Sequence, residues 1–396
     1  MRKTLVLLII LLFSIGVSAQ DASVTVSDQV VVNGMVQLDE VSIPVDGWVV
    51  IHADLNGEPG HHVGIAQVTA GTNSAVSVMI DGAMSTPALH VFLHEDTGEI
   101  GVFEHADDPA LDPMIGGGET MTPLATFNIA AIFAFDQQAV GDSVVIASTI
   151  LAEGGWLVVH ADNGGSPGAV LGQAPILAGT MAPVFVPIAA EGRTTTIYPM
   201  LHFDTGEPGV YEFGTVEGAD TPVQINSVTA VKAVNLTDTP TLMLADGTPL
   251  DASQLPALVV SPQTMLIDPN TQTVQTFDLT VDQIDSPVAG FVDVHNDSVG
   301  QGHPGGSLGH APIQQGANTG IIVTLISSPS APITPTVFPM IHADTDNNGV
   351  YQYNRVVGVD LPIVLNGMVL TIPTSIGTPT PGTEAELATP EATAQG

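Results

Sequence analysis

The amino-acid sequence predicts an all-β protein: three tandem antiparallel β-sandwich domains, immunoglobulin-like or cupredoxin-like, with a signal peptide before them and a disordered tail after. Three observations predict it. The octapeptide GWVVIHAD at residues 47–54 returns as GWLVVHAD at 155–162 and as GFVDVHND at 290–297. Each is followed by a Pro-Gly loop (PGHHVGIAQV, PGAVLGQAPI, PGGSLGHAPI) and then by a second histidine segment: VFLHEDTGEIGVFE, YPMLHFDTGEPGVYEF or FPMIHADTDNNGVYQY. Between these, short Val, Ile, Leu, Thr and aromatic runs are punctuated by Gly, Pro, Asn and Asp, with no helical period sustained, as in a strand-rich sandwich.

The elements follow in chain order. MRKTLVLLIILLFSIGVSAQ has a basic start, a short apolar core and a small-residue cleavage site, so residues 1–19 read as a signal peptide cut after Ala19 and not as a membrane span. Repeat one is assigned to 22–125 and repeat two to 127–233, with Asp28-Gln29 and Asp136-Gln137 at matching distances before Trp48 and Trp156. In repeat three, 263–372, Gln272 takes the matching place before Phe291. Residues 234–262 read as a linker in which LMLADGTPL forms a small hairpin. ATFNIAAIFAF, apolar on both faces, reads as a fully buried strand. The Thr- and Pro-rich end, 373–396, lacks the apolar bulk for a core and reads as disordered.

Charge narrows the function classes. There are 5 Lys+Arg against 41 Asp+Glu, a balance of −36 that becomes −38 once Arg2 and Lys3 leave with the signal peptide. Such a surface repels nucleic acid and anionic lipid and attracts divalent cations. With no Cys, an exported chain must be held by its cores alone or by cores and metal. The expected place is outside the cell, in the medium or at the cell surface, with a cell-envelope, protein or glycan partner.

Six H-x-D pairs are the candidate site residues: His52/Asp54 and His94/Asp96, His160/Asp162 and His202/Asp204, His295/Asp297 and His342/Asp344. On an extended strand, residues i and i+2 share a face, so each pair can reach one point. Two readings stand. In the structural one, each strand ends at its His and the Asp begins a turn by accepting backbone N–H bonds. In the other, two strand ends supply imidazoles and carboxylates to Zn²⁺ or Cu²⁺, with Met200 and Met340, two residues before their histidines, as thioether donors for copper. A blue-copper centre is excluded, for want of a Cys. In DTDNNGVY, Asp344, Asp346 and Asn348 have the spacing of half a calcium loop, but Arg355 stands where the closing Glu belongs. His61, His62, His303 and His310 have no counterparts in repeat two. No nucleophile elbow, phosphate loop, dinucleotide fingerprint or H-E-x-x-H helix occurs, so no catalysis is expected.

With these motifs in view, the chain resembles an uncharacterised exported or surface domain family of halophilic archaea and some bacteria. The resemblance rests on the DQ pairs, the GW and GF strands, PMLHFDTGEPGVYEF and PMIHADTDNNGVYQY, and the closing ADTPV and VDLPI. Repeat one departs at Phe92 and in HADDPALDP. The resemblance implies an extracellular β-domain and no established activity.

Overall fold

The computed structural model describes residues 21–377 except 33, 107, 117–121, 266–275 and 301. The signal peptide and residues 378–396 of the tail lie outside the described residues.

Alternating side chains divide each repeat into two sheets. In repeat one, Met35–Ile43 lies between Ser23–Thr25 and Gly71–Met79. Facing it are Glu58–Val68, Gly47–Leu55, Ala88–Glu95 and Ala125–Phe133 in that order, with Gln29–Val32 running parallel to the last. Val36, Leu38, Val41 and Ile43 from the first sheet meet Val49, Ile51, Leu89, Val91 and Leu93 from the second in one core. Repeat three repeats the arrangement, with Ala257–Val259, Thr276–Ser286 and Gly316–Ile326 over Pro304–Ile313, Gly290–Asp297, Thr336–Ala343 and Thr374–Ser375. In repeat two the four-stranded sheet is Pro167–Ile176, Gly155–Asp162, Thr196–His202 and Val234–Asn235. Its opposing strands are split, Ser143–Ile146 pairing Val184–Pro187 and Ser148–Leu151 pairing Gly179–Met181. This hairpin order is the immunoglobulin-type alternative of the two expected, with the fourth strand moved onto the second sheet.

One strand serves two sandwiches, which explains why it is apolar on both faces. Ala125–Phe133 places Phe127, Ile129, Ala131 and Phe133 in the first core. Its alternate residues Ala130 and Ile132, with Ala134 just beyond, enter the second core. Its start pairs with Ala88–Val91 and its end with Ser148–Ile150.

The stretch read as a linker contributes three short strands to the sheets. Val234–Asn235 closes repeat two, Leu242–Leu244 pairs with Ile363–Leu365, and Ala257–Val259 is the outer strand of repeat three. The expected hairpin is present, closed by the Leu244 N–H donating to Thr248 and the Leu250 N–H donating to Leu242. At the other end, Thr374–Ser375 pairs with Thr336–Val337 and Ile376 is fully buried, so the sandwich continues into what reads as tail. Gln272 lies outside the described residues. Gln263 makes the bonds that Gln29 and Gln137 make elsewhere: its side chain donates to the Thr280 carbonyl and accepts the Thr280 N–H.

The glycine that opens each octapeptide is required by packing. A Cβ at Gly47, Gly155 or Gly290 would collide with the carbonyl oxygen of His94, His202 or His342. Gly155 also has φ of 152°, which L-residues rarely adopt. Gly155→Ala is expected to destabilise repeat two by about 2 kcal/mol, the scale of an overpacked site. A denaturant melt against the unsubstituted chain checks this.

The repeats touch in all three pairings. The Asn226 side chain donates to the Asp28 carbonyl (2.8 Å), and Gln138 and Asn366 exchange two bonds of 2.7 and 3.0 Å. The Tyr353 hydroxyl donates to Asp81 (2.6 Å), and the Phe103 N–H to the Arg355 carbonyl (2.8 Å).

Candidate functional site: a covered histidine pair in each repeat

The histidines sit on the outer face of each four-stranded sheet, away from the sandwich core. In repeat one, Val49 and Ile51 point into the main core while Trp48 and Val50 join a separate small cluster with Ile65 and Phe103. What buries the outer face is the segment after the second histidine strand: residues 96–112, 204–220 and 344–360. Its aromatics fold back over the second histidine. Ring centres lie 5.1 Å apart for His94–Phe103, 5.8 Å for His202–Tyr211 and 5.4 Å for His342–Tyr351. The result is deeper burial than a strand end meeting water: His202, His295 and His342 are 0% exposed and His160 5%.

Each covering segment is fastened by a buried aspartate absent from the candidate set: Asp112, Asp220 and Asp360, all 0% exposed and all at positive φ. In repeat two, the Asp220 carboxylate accepts the Thr205 N–H (2.8 Å) and the Glu212 N–H, while the Asp220 N–H donates to the Thr205 hydroxyl (2.8 Å). Asp112 and Asp360 make the same three bonds, to Thr97 and Glu104 and to Thr345 and Gln352. The backbone carbonyl of each aspartate faces the second histidine: Nδ1 of His94, His202 and His342 lies 2.7 Å from it in every repeat. The first histidine is held likewise, with Nδ1 of His52, His160 and His295 at 2.6, 2.9 and 2.9 Å from the carbonyls of Gly60, Gly168 and Gly305. A carbonyl only accepts, so Nδ1 carries the proton and Nε2 is left with its lone pair.

In repeats two and three the two rings lie face to face. The rings of His160 and His202 stack at 5.7 Å and 20°, those of His295 and His342 at 6.0 Å and 22°. In repeat two, Nε2 of both and the Tyr211 hydroxyl are buried with no hydrogen-bond partner among the described residues. Burial holds the imidazoles of His52, His94, His202 and His342 down at about 4, so they are neutral at pH 7.

The aspartates of the H-x-D pairs do not join them. A β-bulge at the first histidine interrupts the register in every repeat and breaks the i, i+2 alignment. Asp54, Asp162 and Asp297 instead accept the N–H groups of Gly57, Gly165 and Gly302. Asp54 also pairs with His90 (2.9 Å) and Asp162 with the Tyr198 hydroxyl (3.1 Å). Asp96, Asp204 and Asp344 accept the N–H groups of Gly101, Gly209 and Gly349. All six therefore build turns. In the half-calcium loop, carboxylate oxygens of Asp344, Asp346 and Asp360 come within 4.8 Å of one another. The Asn348 amide is spent inside the turn, donating to Asp346 (2.7 Å) and accepting the Val350 N–H (2.6 Å).

Repeat three adds a carboxylate from another position. Asp293 stands where Val50 and Val158 stand in the other repeats, two residues before its histidine instead of two after. It is 0% exposed and accepts the hydroxyls of Ser307 and Tyr351, both at 2.7 Å. Its Oδ2 lies 3.1 Å from His295 Nε2, near enough to pair charges though not aligned as a hydrogen bond. Burial disfavours charge on both groups, but their mutual attraction prevails, pushing His295 up and Asp293 down. Two signals for these missed residues lay in the sequence. A buried aspartate follows the second histidine at a constant spacing of 18 in each repeat, and GFVDVHND carries one acid more than its sister octapeptides.

These features define a tandem protein of immunoglobulin-type sandwiches, each with an outer-face histidine pair under a covering segment. A family model described as "Domain of unknown function (DUF7282)" matches residues 22–128, 130–237 and 266–376, and the chain belongs to that family as three copies of its domain. No protein of curated function matches it. Among solved structures, the crystal structure of Dpr2 Ig1-Ig2 in complex with DIP-Theta Ig1-Ig3 is similar at 8% identity, over 91% of this chain and 100% of that one. The TM-score is 0.17.

Proposed function

We propose that the chain is exported and acts outside the cell as a structural and binding module, presenting three joined sandwiches to a partner in the cell envelope or its surroundings, without a catalytic step. The observation that carries this reading is the joining itself. A shared strand and hydrogen bonds in all three pairings hold the repeats as one body with an acidic surface. A protein partner is favoured over a glycan, because Trp48 and Trp156 are 0% and 8% exposed and neither can stack on a sugar. The test is to produce the full chain in an exporting host, fractionate the cells and sequence the N-terminus. The expected product begins at Gln20 in the medium or envelope, and the purified form binds saturably to untreated cells but not to protease-shaved ones. A chain that keeps Met1 in the cytoplasm, or a mature chain with no saturable binding, overturns the proposal.

A further inference from the structure

We infer that repeat three contains a transition-metal site that repeats one and two lack, with Nε2 of His295, Nε2 of His342 and a carboxylate oxygen of Asp293 as ligands. One ligand atom from each residue lies within 4.8 Å of those of the other two, His295 Nε2 lies 3.1 Å from Asp293 Oδ2, and all three residues are 0% exposed. Both imidazoles spend Nδ1–H on backbone carbonyls, at 2.9 and 2.7 Å, which fixes the ring orientation and the tautomer a metal requires. The carboxylate is oriented in turn by the hydroxyls of Ser307 and Tyr351.

The competing occupant is a proton on His295 Nε2, paired with Asp293 at 3.1 Å. A proton there answers the buried carboxylate but leaves His342 Nε2 without a partner, a lone pair sealed from solvent. A divalent cation answers all three atoms at once. Two imidazoles and one carboxylate are a donor set for Zn²⁺ or another first-row divalent ion and a poor one for Ca²⁺. Zn–N bonds of about 2.0–2.1 Å place tetrahedral ligands about 3.3 Å apart, so modest side-chain rotations close the site. Three protein ligands leave a fourth position open. Asp293 and His295 line a cavity of about 200 Å³ between repeats one and three, also bordered by His61 and His310, through which an ion and a small exogenous ligand can enter. In repeat two Val158 takes the place of Asp293, and among the described residues no carboxylate joins the stacked pair in a three-ligand group.

The experiment uses the whole mature chain, stripped with chelator and titrated with Zn²⁺ by calorimetry and with Co²⁺ by visible absorption. One tight equivalent is expected, with the strong visible bands of a four- or five-coordinate Co²⁺ site. Asp293→Val installs the residue of the other repeats, and His342→Asn keeps a donor for the Asp360 carbonyl while removing Nε2. Each should weaken binding by at least tenfold, while His202→Asn, the same position in repeat two, leaves it unchanged. Absence of binding, affinity indifferent to Asp293→Val, or equal loss in His202→Asn overturns the assignment. The display proposal does not depend on the result.

Discussion

Asp220→Ala is expected to cost repeat two about 4 kcal/mol and to release residues 204–220 from the face they cover. The carboxylate is 0% exposed and is the acceptor for the N–H groups of Thr205 and Glu212, one at each end of the turn. A hydrogen bond to a carboxylate is worth about 1.5–3 kcal/mol, and two part-buried ones are lost here. Alanine must also adopt the φ of 45° that Asp220 holds, a further ~1 kcal/mol for a residue without a side chain that bonds locally. Asp220→Asn keeps the tolerance for positive φ and one acceptor oxygen, but turns an amide N–H toward a backbone N–H, so it should fall between the two. Hydrogen exchange reads the effect at its source: the Thr205 and Glu212 amides lose protection in Asp220→Ala first and most. Wild-type protection at both would show that something other than Asp220 fastens the segment.

That aspartate also marks where sequence reading stops. The repeats, the sheet-forming runs and the two histidines per copy were legible because they recur in order and at near-constant spacing. The two-faced apolarity of residues 125–133 was legible too, although its cause, one strand feeding two cores, lies in the tertiary structure. Placing each Asp beside its His relied on unbroken alternation. The bulge at His52, His160 and His295 depends on a neighbouring strand and leaves no local mark. Asp293 was misleading for a different reason. Set against two apolar octapeptides it looks like decay, and only its burial beside Ser307, Tyr351 and His295 shows it to be an addition. Gln263 was hidden by an altered spacing, since counting back from Phe291 leads to Gln272.

Acidification should destabilise the metal-free protein before most of its carboxylates titrate. Burial holds His61, His94 and His202 at about 4, and they are 7%, 2% and 0% exposed. In the unfolded chain they protonate near the ordinary 6.5. Between these values the unfolded state binds more protons, so stability falls as pH falls, beginning near 6.5 and ending near 4. Each group contributes about 1.4 kcal/mol per pH unit in that window. Two groups oppose the trend. Burial raises Asp360 to about 6, so the folded state takes up its proton first and gains below that pH. His295, raised by Asp293 despite burial, favours the folded state as pH drops through its own titration. Burial lowers His52, His62, His303 and His342 as well, so the losses outnumber the two gains and leave a net fall, and most carboxylates stay ionised down to about pH 5, so relief of the acid surface does not mask it. The melting temperature in chelator should drop on the order of 10 °C from pH 7 to pH 5. His202→Asn removes one of these groups and should flatten the slope by about one proton, separating the histidine effect from any other. A melting temperature level across that range, or a slope identical in His202→Asn, would mean that the buried imidazoles take up their protons without opening the fold.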